Sequence, residues 1–152
     1  NQIPSRMSNQ RSGSVVFLLD RTLRQLRFSL QSHFNEKKVN LSVDQWIILN
    51  ETHNSGNVAH HILAERAAKD PASVTRIVHT LEKLKMVTRT ISDKDQRVSL
   101  LKVTAAGKKE LSRAESAVQA YRKMALKGIT KEELVPVKKL LDKLFENTGG
   151  VL

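Results

Sequence analysis

The stretch from Asp70 to Thr104 constrains this chain more than any other. Asp70 can accept a hydrogen bond at a helix N-cap, and Pro71 suits the first helical position, where its missing N–H costs nothing. Behind them Val74, Ile77, Val78, Leu81 and Leu84 recur at three- and four-residue steps, the period of one helical face. The spacing predicts a helix to about Leu84. Two β-prone runs follow, Val87–Ile91 and Val98–Val103, separated by Ser-Asp-Lys-Asp-Gln-Arg, and they predict a hairpin with a charged tip. The helix has one apolar stripe to bury. Its other positions, Ala72, Ser73, Thr75, Arg76, His79, Thr80 and Lys83, are small, polar or cationic.

The surroundings read as helices. Residues 59–68 form a short one with Ile62, Leu63 and Ala67 inward, joined to the next by a tight turn at Ala68-Lys-Asp70. Ser42-Val-Asp-Gln45 has the spacing of a capping box, opening a helix that carries Trp46, Ile47 and Leu49 inward and ends at the loop Asn54-Ser-Gly-Asn57. From Ser14 to Glu36, after a frayed start, Val15, Leu18, Leu19, Leu23, Leu26, Leu30 and Phe34 mark a longer helix. Thr104 reads as the N-cap of another, about Ala105–Leu126, closed by Gly128. Thr130-Lys-Glu-Glu133 is a second capping box, and the helix it opens runs to about Asn147 with Leu134, Val137, Leu140, Leu141, Leu144 and Phe145. Pro136 falls within its first two turns. Long amphipathic helices with nothing local to pack on call for a partner, so the terminal helices are expected to dimerise.

The sign of the charge narrows the partners. There are 26 Lys and Arg against 15 Asp and Glu, a net charge of +11, and the sequence pI is about 10.2. That favours polyanions, nucleic acid before an anionic membrane. No block of like charge is long enough to be a disordered tail, so the surplus belongs to folded elements. The absence of cysteine excludes disulfides, thiol redox sensing and a cysteine-ligated zinc finger. No run approaches the ~18 apolar residues of a membrane span, and Asn1–Ser14 lacks the apolar stretch of a secretory signal. A soluble, cytoplasmic protein that does not engage a membrane is expected. Catalytic Ser-His-Asp spacing, a phosphate-cradling glycine loop and paired carboxylates in an apolar setting are all missing, so the chain does not read as an enzyme and calls for no cofactor. His60 and His61 are adjacent and point about 100° apart on a helix. His33, His53 and His79 are scattered, so no metal site is expected.

Two short helices, a tight turn and a hairpin make a helix-turn-helix with a wing, whose second helix enters the major groove. The expected readers are Ser73, Thr75, Arg76, His79 and Thr80, with Arg76 able to make a bidentate pair with guanine. The helix N-terminus suits a phosphate. Lys94 and Arg97 stand at the wing tip, and Arg89 and Lys102 lie on its strands. An arginine on a thin ribbon can enter the narrow minor groove. Asp93 and Asp95 partly offset these charges, and Asp95 is read as orienting an arginine. Any one basic residue is more often a solvated surface charge. The weight lies in cap, polar face, charged wing and net charge falling within one short stretch. A sequence-specific regulator is the first reading; an architectural or non-specific nucleic-acid-binding protein is the alternative.

The run Asp70-Pro-Ala-Ser-Val-Thr-Arg-Ile-Val-His-Thr-Leu-Glu-Lys-Leu-Lys-Met-Val-Thr-Arg89 resembles the core of the MarR family of bacterial transcription regulators. Asp95-Gln-Arg97, five residues, then Val103-Thr104 is similar to that family's Asp-x-Arg…Leu-Thr wing, with Val for Leu. Leu41-Ser-Val-Asp-Gln-Trp46 resembles the family's entry to its second helix. The resemblance implies a mainly α fold with a small β-hairpin wing, a winged helix-turn-helix flanked by long N- and C-terminal dimerisation helices. It implies one domain over 1–152, with 14–36 and 105–147 for dimerisation and 41–104 for DNA binding. It further implies a homodimer on a pseudo-palindromic operator in double-stranded DNA, acting as a repressor that a small aromatic or lipophilic effector can release. By position, Ser73, Thr75, Arg76, His79 and Thr80 would face the major groove, with Arg97 the wing arginine and Asp95 its acidic neighbour. An effector cleft would lie near His33, Trp46 and Arg66, although Trp46 reads more simply as core. The chain departs from the family in having Lys85-Met86 where a glycine often precedes the first wing strand, and Asp-Gln-Arg where many members have Asp-Arg-Arg.

Overall fold

Caps set the element boundaries. The protein, seen in a computed structural model that describes residues 14–67, 69–93 and 95–150, runs α1 (Val15–Glu36), α2 (Val43–Ser55), β1 (Val58–Ala59), α3 (His60–Arg66), α4 (Pro71–Lys83), β2 (Val87–Ile91), β3 (Ser99–Val103), α5 (Ala105–Ala125) and α6 (Lys131–Asn147). It is mainly helical with a small antiparallel sheet, the winged helix-turn-helix arrangement. The chain divides into two compact units, one ending at Tyr121 and the other starting at Arg122.

In the first unit α2 starts at a complete capping box. The Ser42 hydroxyl accepts from the Gln45 N–H at 3.2 Å, and the Gln45 side chain accepts from the Ser42 N–H at 2.9 Å. Helix α4 starts where Asp70 accepts from the Ser73 N–H at 2.8 Å, with Pro71 in its first turn. Most of the apolar stripe of α4 is buried: Val74, Val78 and Leu81 have no exposed surface and join Phe34, Ile48, Leu49, Leu63 and Leu101 in one core, Ile77 packs against it half-buried, and Leu84, expected to complete the stripe, caps the helix 45% exposed. Burying a side chain of this size contributes roughly 1.5–3 kcal/mol, which fixes α4 by its inner face and leaves the outer face free. Of the expected inward residues of α2, Leu49 is fully buried and Trp46 and Ile47 pack half-buried against the core; Ile48, not among them, is fully buried as well.

The sheet has three strands in the order β1-β3-β2, not the two of the expected hairpin. Val87 pairs with Val103 and Ile91 with Ser99, while Val58 and Ala59 pair with Leu101 and Leu100. Ala59 therefore belongs to a strand, and α3 begins one residue later than predicted. Between α4 and β2 the backbone turns through Lys85, whose φ of 57° lies in the left-handed region that favours glycine. The start of α5 closes this turn. Thr104 donates its hydroxyl to the Lys85 carbonyl at 2.7 Å and its N–H to that of Met86 at 3.0 Å. A Cβ at Gly107 would collide with the Met86 carbonyl, so only glycine lets α5 approach. Further along α5, the buried Glu110 accepts from the Asn40 N–H at 2.5 Å and from Arg113 at 3.1 Å, tying α5 to the α1–α2 connection.

In the second unit α6 opens on the Thr130–Glu133 capping box. It starts at Lys131, and Pro136 sits inside the helix without moving that start. None of its residues is fully buried; Val135, Val137, Leu140, Leu141 and Phe145 are exposed. No helix among the described residues is long and apolar enough to cross a membrane.

Candidate nucleic-acid interface

The candidate site is the outer face of α4 together with the turn between β2 and β3. Thr75, Arg76 and His79 are exposed on that face; Ser73 and Thr80 are half-buried at its edges. The side chains are arranged by bonds within the helix. Arg76 donates to the Ser73 hydroxyl at 3.1 Å, Thr75 donates its hydroxyl to the Pro71 carbonyl at 2.9 Å, and Thr80 donates to the Arg76 carbonyl at 3.1 Å. Hydrogen bonds from Ser73 hold the Asp70 carboxyl below the usual carboxylate range, and the nearby Arg76 adds to this. The capping charge thus stays ionised beside the cationic face.

A shallow cavity of about 310 Å³ runs between the start of α2 and α4, lined by Ser42, Gln45, Lys69, Ser73, Arg76 and Thr80, with Asp44 at its edge. Asp44 accepts from Arg27 of α1 and from Lys69 at 2.6 Å. Desolvation pushes its carboxyl up, but the bonds from Lys69 and Arg27 outweigh it and leave the pKa lowered. Lys69 is the residue before the α4 cap, so this ion pair pins the turn to α1 and α2. Sequence patterning gave no sign of it, because its partners come from three separate segments.

At the wing, Arg97 is exposed, and its backbone N–H donates to the Asp95 carboxylate at 2.9 Å. The Asp95 carbonyl accepts from the Val98 N–H at 2.9 Å. Asp95 therefore shapes the turn through the backbone at Arg97, not through its guanidinium. Lys94 lies outside the described residues. Arg89 is committed elsewhere, paired with Glu82 of α4 at 2.6 Å.

The residues expected near an effector cleft make separate contacts. The half-buried His33 ring meets Tyr121 edge-on at 5.9 Å and bonds the Ser29 carbonyl through Nδ1 at 2.8 Å. The half-buried Trp46 meets Phe34 edge-on at 5.9 Å. Arg66 is exposed and donates to Ser55 at 2.5 Å. Among the described residues no three His, Asp or Glu side chains converge as a metal site would require. One polar contact at the interface escaped the sequence: His60 Nε2 of α3 lies 3.3 Å from the Thr75 hydroxyl.

Comparison with known proteins adds to this geometry. The model of the MarR family matches residues 41–99, the span from the start of α2 to the start of β3. The HTH-type transcriptional repressor IacR of Pseudomonas putida is 22% identical over 111 residues, 73% of this chain and 66%, just under two thirds, of that one. CouR from Rhodococcus jostii RHA1, solved bound to p-coumaroyl-CoA, superposes with a TM-score of 0.76 at 22% identity, covering 93% of this chain and 96% of its own. BpsR of Bordetella bronchiseptica, whose DNA binding is regulated by 6-hydroxynicotinic acid, superposes with a TM-score of 0.80 at 20% identity, covering 88% and 94%. The two superpositions establish the shared fold.

Proposed function

We propose that this chain is a MarR-family transcriptional regulator, as the family model over 41–99 and the curated HTH-type relatives support, and a sequence-specific repressor that binds a pseudo-palindromic operator as a cytoplasmic homodimer. Proteins of this family are DNA-binding regulators, not enzymes. The observation that carries the reading is the outer face of α4: Thr75, Arg76 and His79 stand exposed on a helix whose inner face is locked in the core. Ser73 and Thr80 flank them, and Arg97 with Lys94 at the wing would take the minor groove while Asp95 holds the turn. Dimerisation is supported by the exposed apolar residues of α1, among them Val16, Phe17, Leu23 and Leu26, and by those of α6. One domain of 1–152 would then use 14–36 and 105–147 to pair and 41–104 to bind DNA.

A small aromatic acid is the proposed effector class. Relatives of the same fold are solved with p-coumaroyl-CoA or regulated by 6-hydroxynicotinic acid. Here two aromatic contacts, His33–Tyr121 and Phe34–Trp46, involve neighbouring positions of α1; with Phe34 closed in the core, the half-buried rings of His33, Tyr121 and Trp46 are the ones such a molecule would meet, with Arg66 as a candidate cation. Trp46 serves the core in either case.

Selection from a pool of random duplexes, followed by titration of the selected site and of a scrambled duplex at physiological salt, tests the function. A regulator keeps a preference of about 10³ or more. Equal affinity for both would leave a non-specific nucleic-acid-binding protein. Arg97→Ala should weaken the selected complex by roughly tenfold; unchanged affinity would remove the wing from the interface.

A further inference from the structure

The hydroxyl of Thr75 has unusually little freedom. It carries one hydrogen, and that hydrogen is donated to the Pro71 carbonyl at 2.9 Å. His60 Nε2 sits 3.3 Å from the same oxygen. With the hydroxyl hydrogen on the shorter of its two contacts, the one to Pro71, the contact with His60 is a hydrogen bond in which Nε2 carries a hydrogen and donates it. Burial, and after it the positive charges of Arg89 and His61, pulls the His60 pKa below its ordinary value. Nε2–H is present both in the corresponding neutral tautomer and in the cation, so the bond does not depend on which form prevails. One lone pair on the Thr75 oxygen remains, and the residue is exposed on the outer face of α4.

We propose that His60 is a positioning residue for operator reading: it fixes Thr75 as a hydrogen-bond acceptor, so that the base Thr75 meets is adenine or cytosine and not guanine or thymine. The chemistry of the groove supplies the discrimination. Adenine N6 and cytosine N4 present amino hydrogens on the major-groove edge, where guanine and thymine present the oxygens O6 and O4. An acceptor facing either oxygen leaves two lone pairs opposed. To donate instead, Thr75 would have to abandon the Pro71 carbonyl and turn its hydrogen outward. Thr80 differs: it makes the same kind of bond back to the Arg76 carbonyl, but among the described residues no histidine nitrogen is hydrogen-bonded to its hydroxyl.

The inference rests on the proposal that α4 enters the major groove, and selection from random duplexes separates the two. Wild type, Thr75→Val, His60→Leu and His60→Gln are each selected and sequenced, with thermal melting of each variant to confirm folding. Preference between bases at one position is a ratio, so a loss of active protein does not alter it. Wild type should favour adenine or cytosine at one position per half-site by about two- to tenfold, the worth of one hydrogen bond. Thr75→Val should flatten that position alone, and His60→Leu should weaken the preference there. His60→Gln, whose amide N–H donates over a similar reach, should keep it. The amino group of the base pair at that position is then removed, by replacing its adenine or cytosine with an analogue that lacks it, and the proposal is overturned if wild type binds the altered duplex as tightly as the selected one. It is equally overturned if no position responds, or if His60→Gln behaves as His60→Leu. Failure of wild type to select any site would instead remove the functional reading beneath it.

Discussion

Helices α1 and α4 carry similar apolar periodicity and meet opposite fates. In α4 the stripe ends in the core, with Val74, Val78 and Leu81 at 0% exposure. In α1 only Leu30 and Phe34 are buried, while Val16 is 75% exposed and Leu23 56%. The same pattern therefore encodes two different things. In α4 it completes a fold within one chain; in α1 it leaves an exposed apolar surface, the one proposed above to pair with a second copy.

The largest expected effect tests that contrast directly. Leu81→Ala should lower stability by about 2–5 kcal/mol, because the side chain fills a closed site that cannot fully collapse. Urea unfolding measures it, and the loss should be the same at any protein concentration. Leu23→Ala should act through assembly: its cost should vary with protein concentration, as binding linkage requires. A concentration-independent loss at Leu23 would mean that α1 is not a subunit contact.

Asp44 joins the two regions, holding Arg27 of α1 on one side and Lys69 before α4 on the other. Its carboxylate is 41% exposed, so solvent screening reduces the worth of both pairs. Asp44→Asn should cost about 1 kcal/mol at neutral pH. The pH dependence has a definite sign. The folded pKa is lowered, so the contribution is fully present above the ordinary aspartate value and is lost as pH falls through the folded value. The gap between wild type and variant should start to close as pH falls below about 4 and vanish once pH is below the lowered folded value, when unfolding is followed across acid pH. A gap that persists there would mean that packing, not charge, holds the turn.

What could be read from the sequence was local. The capping boxes at Ser42 and Thr130, and the Asp70 cap with its following proline, need only a few consecutive residues to be recognised, and all are present. The outer face of α4 was legible by subtraction once its stripe was known. Strand β1 was not, because two residues, Val58 and Ala59, have no period, and their pairing with Leu101 and Leu100 is set by tertiary contact. The run Trp46-Ile47-Ile48-Leu49 is apolar on every side, so the burial of Ile48 could not be chosen in advance. The contact of His60 with Thr75 spans fifteen positions and two helices, and depends on how α3 crosses α4.

The smallest expected effect concerns the joint between α4 and the wing. Lys85 holds a left-handed φ of 57°, a conformation that costs a residue with a Cβ about 1–2 kcal/mol. Lys85→Gly removes that cost but gives the unfolded chain more freedom, worth roughly 0.5–1 kcal/mol in the opposite direction. The side chain is exposed, so little packing is lost with it, and the bond from Thr104 goes to the backbone carbonyl and survives the change. The net should be a gain of about 0.5 kcal/mol by urea unfolding, within the range seen when a glycine replaces a side chain at such a turn. A loss of stability would show that Lys85 is held in place by contacts of its own. The joint would then be a specific feature of this wing and not a glycine position occupied at a cost.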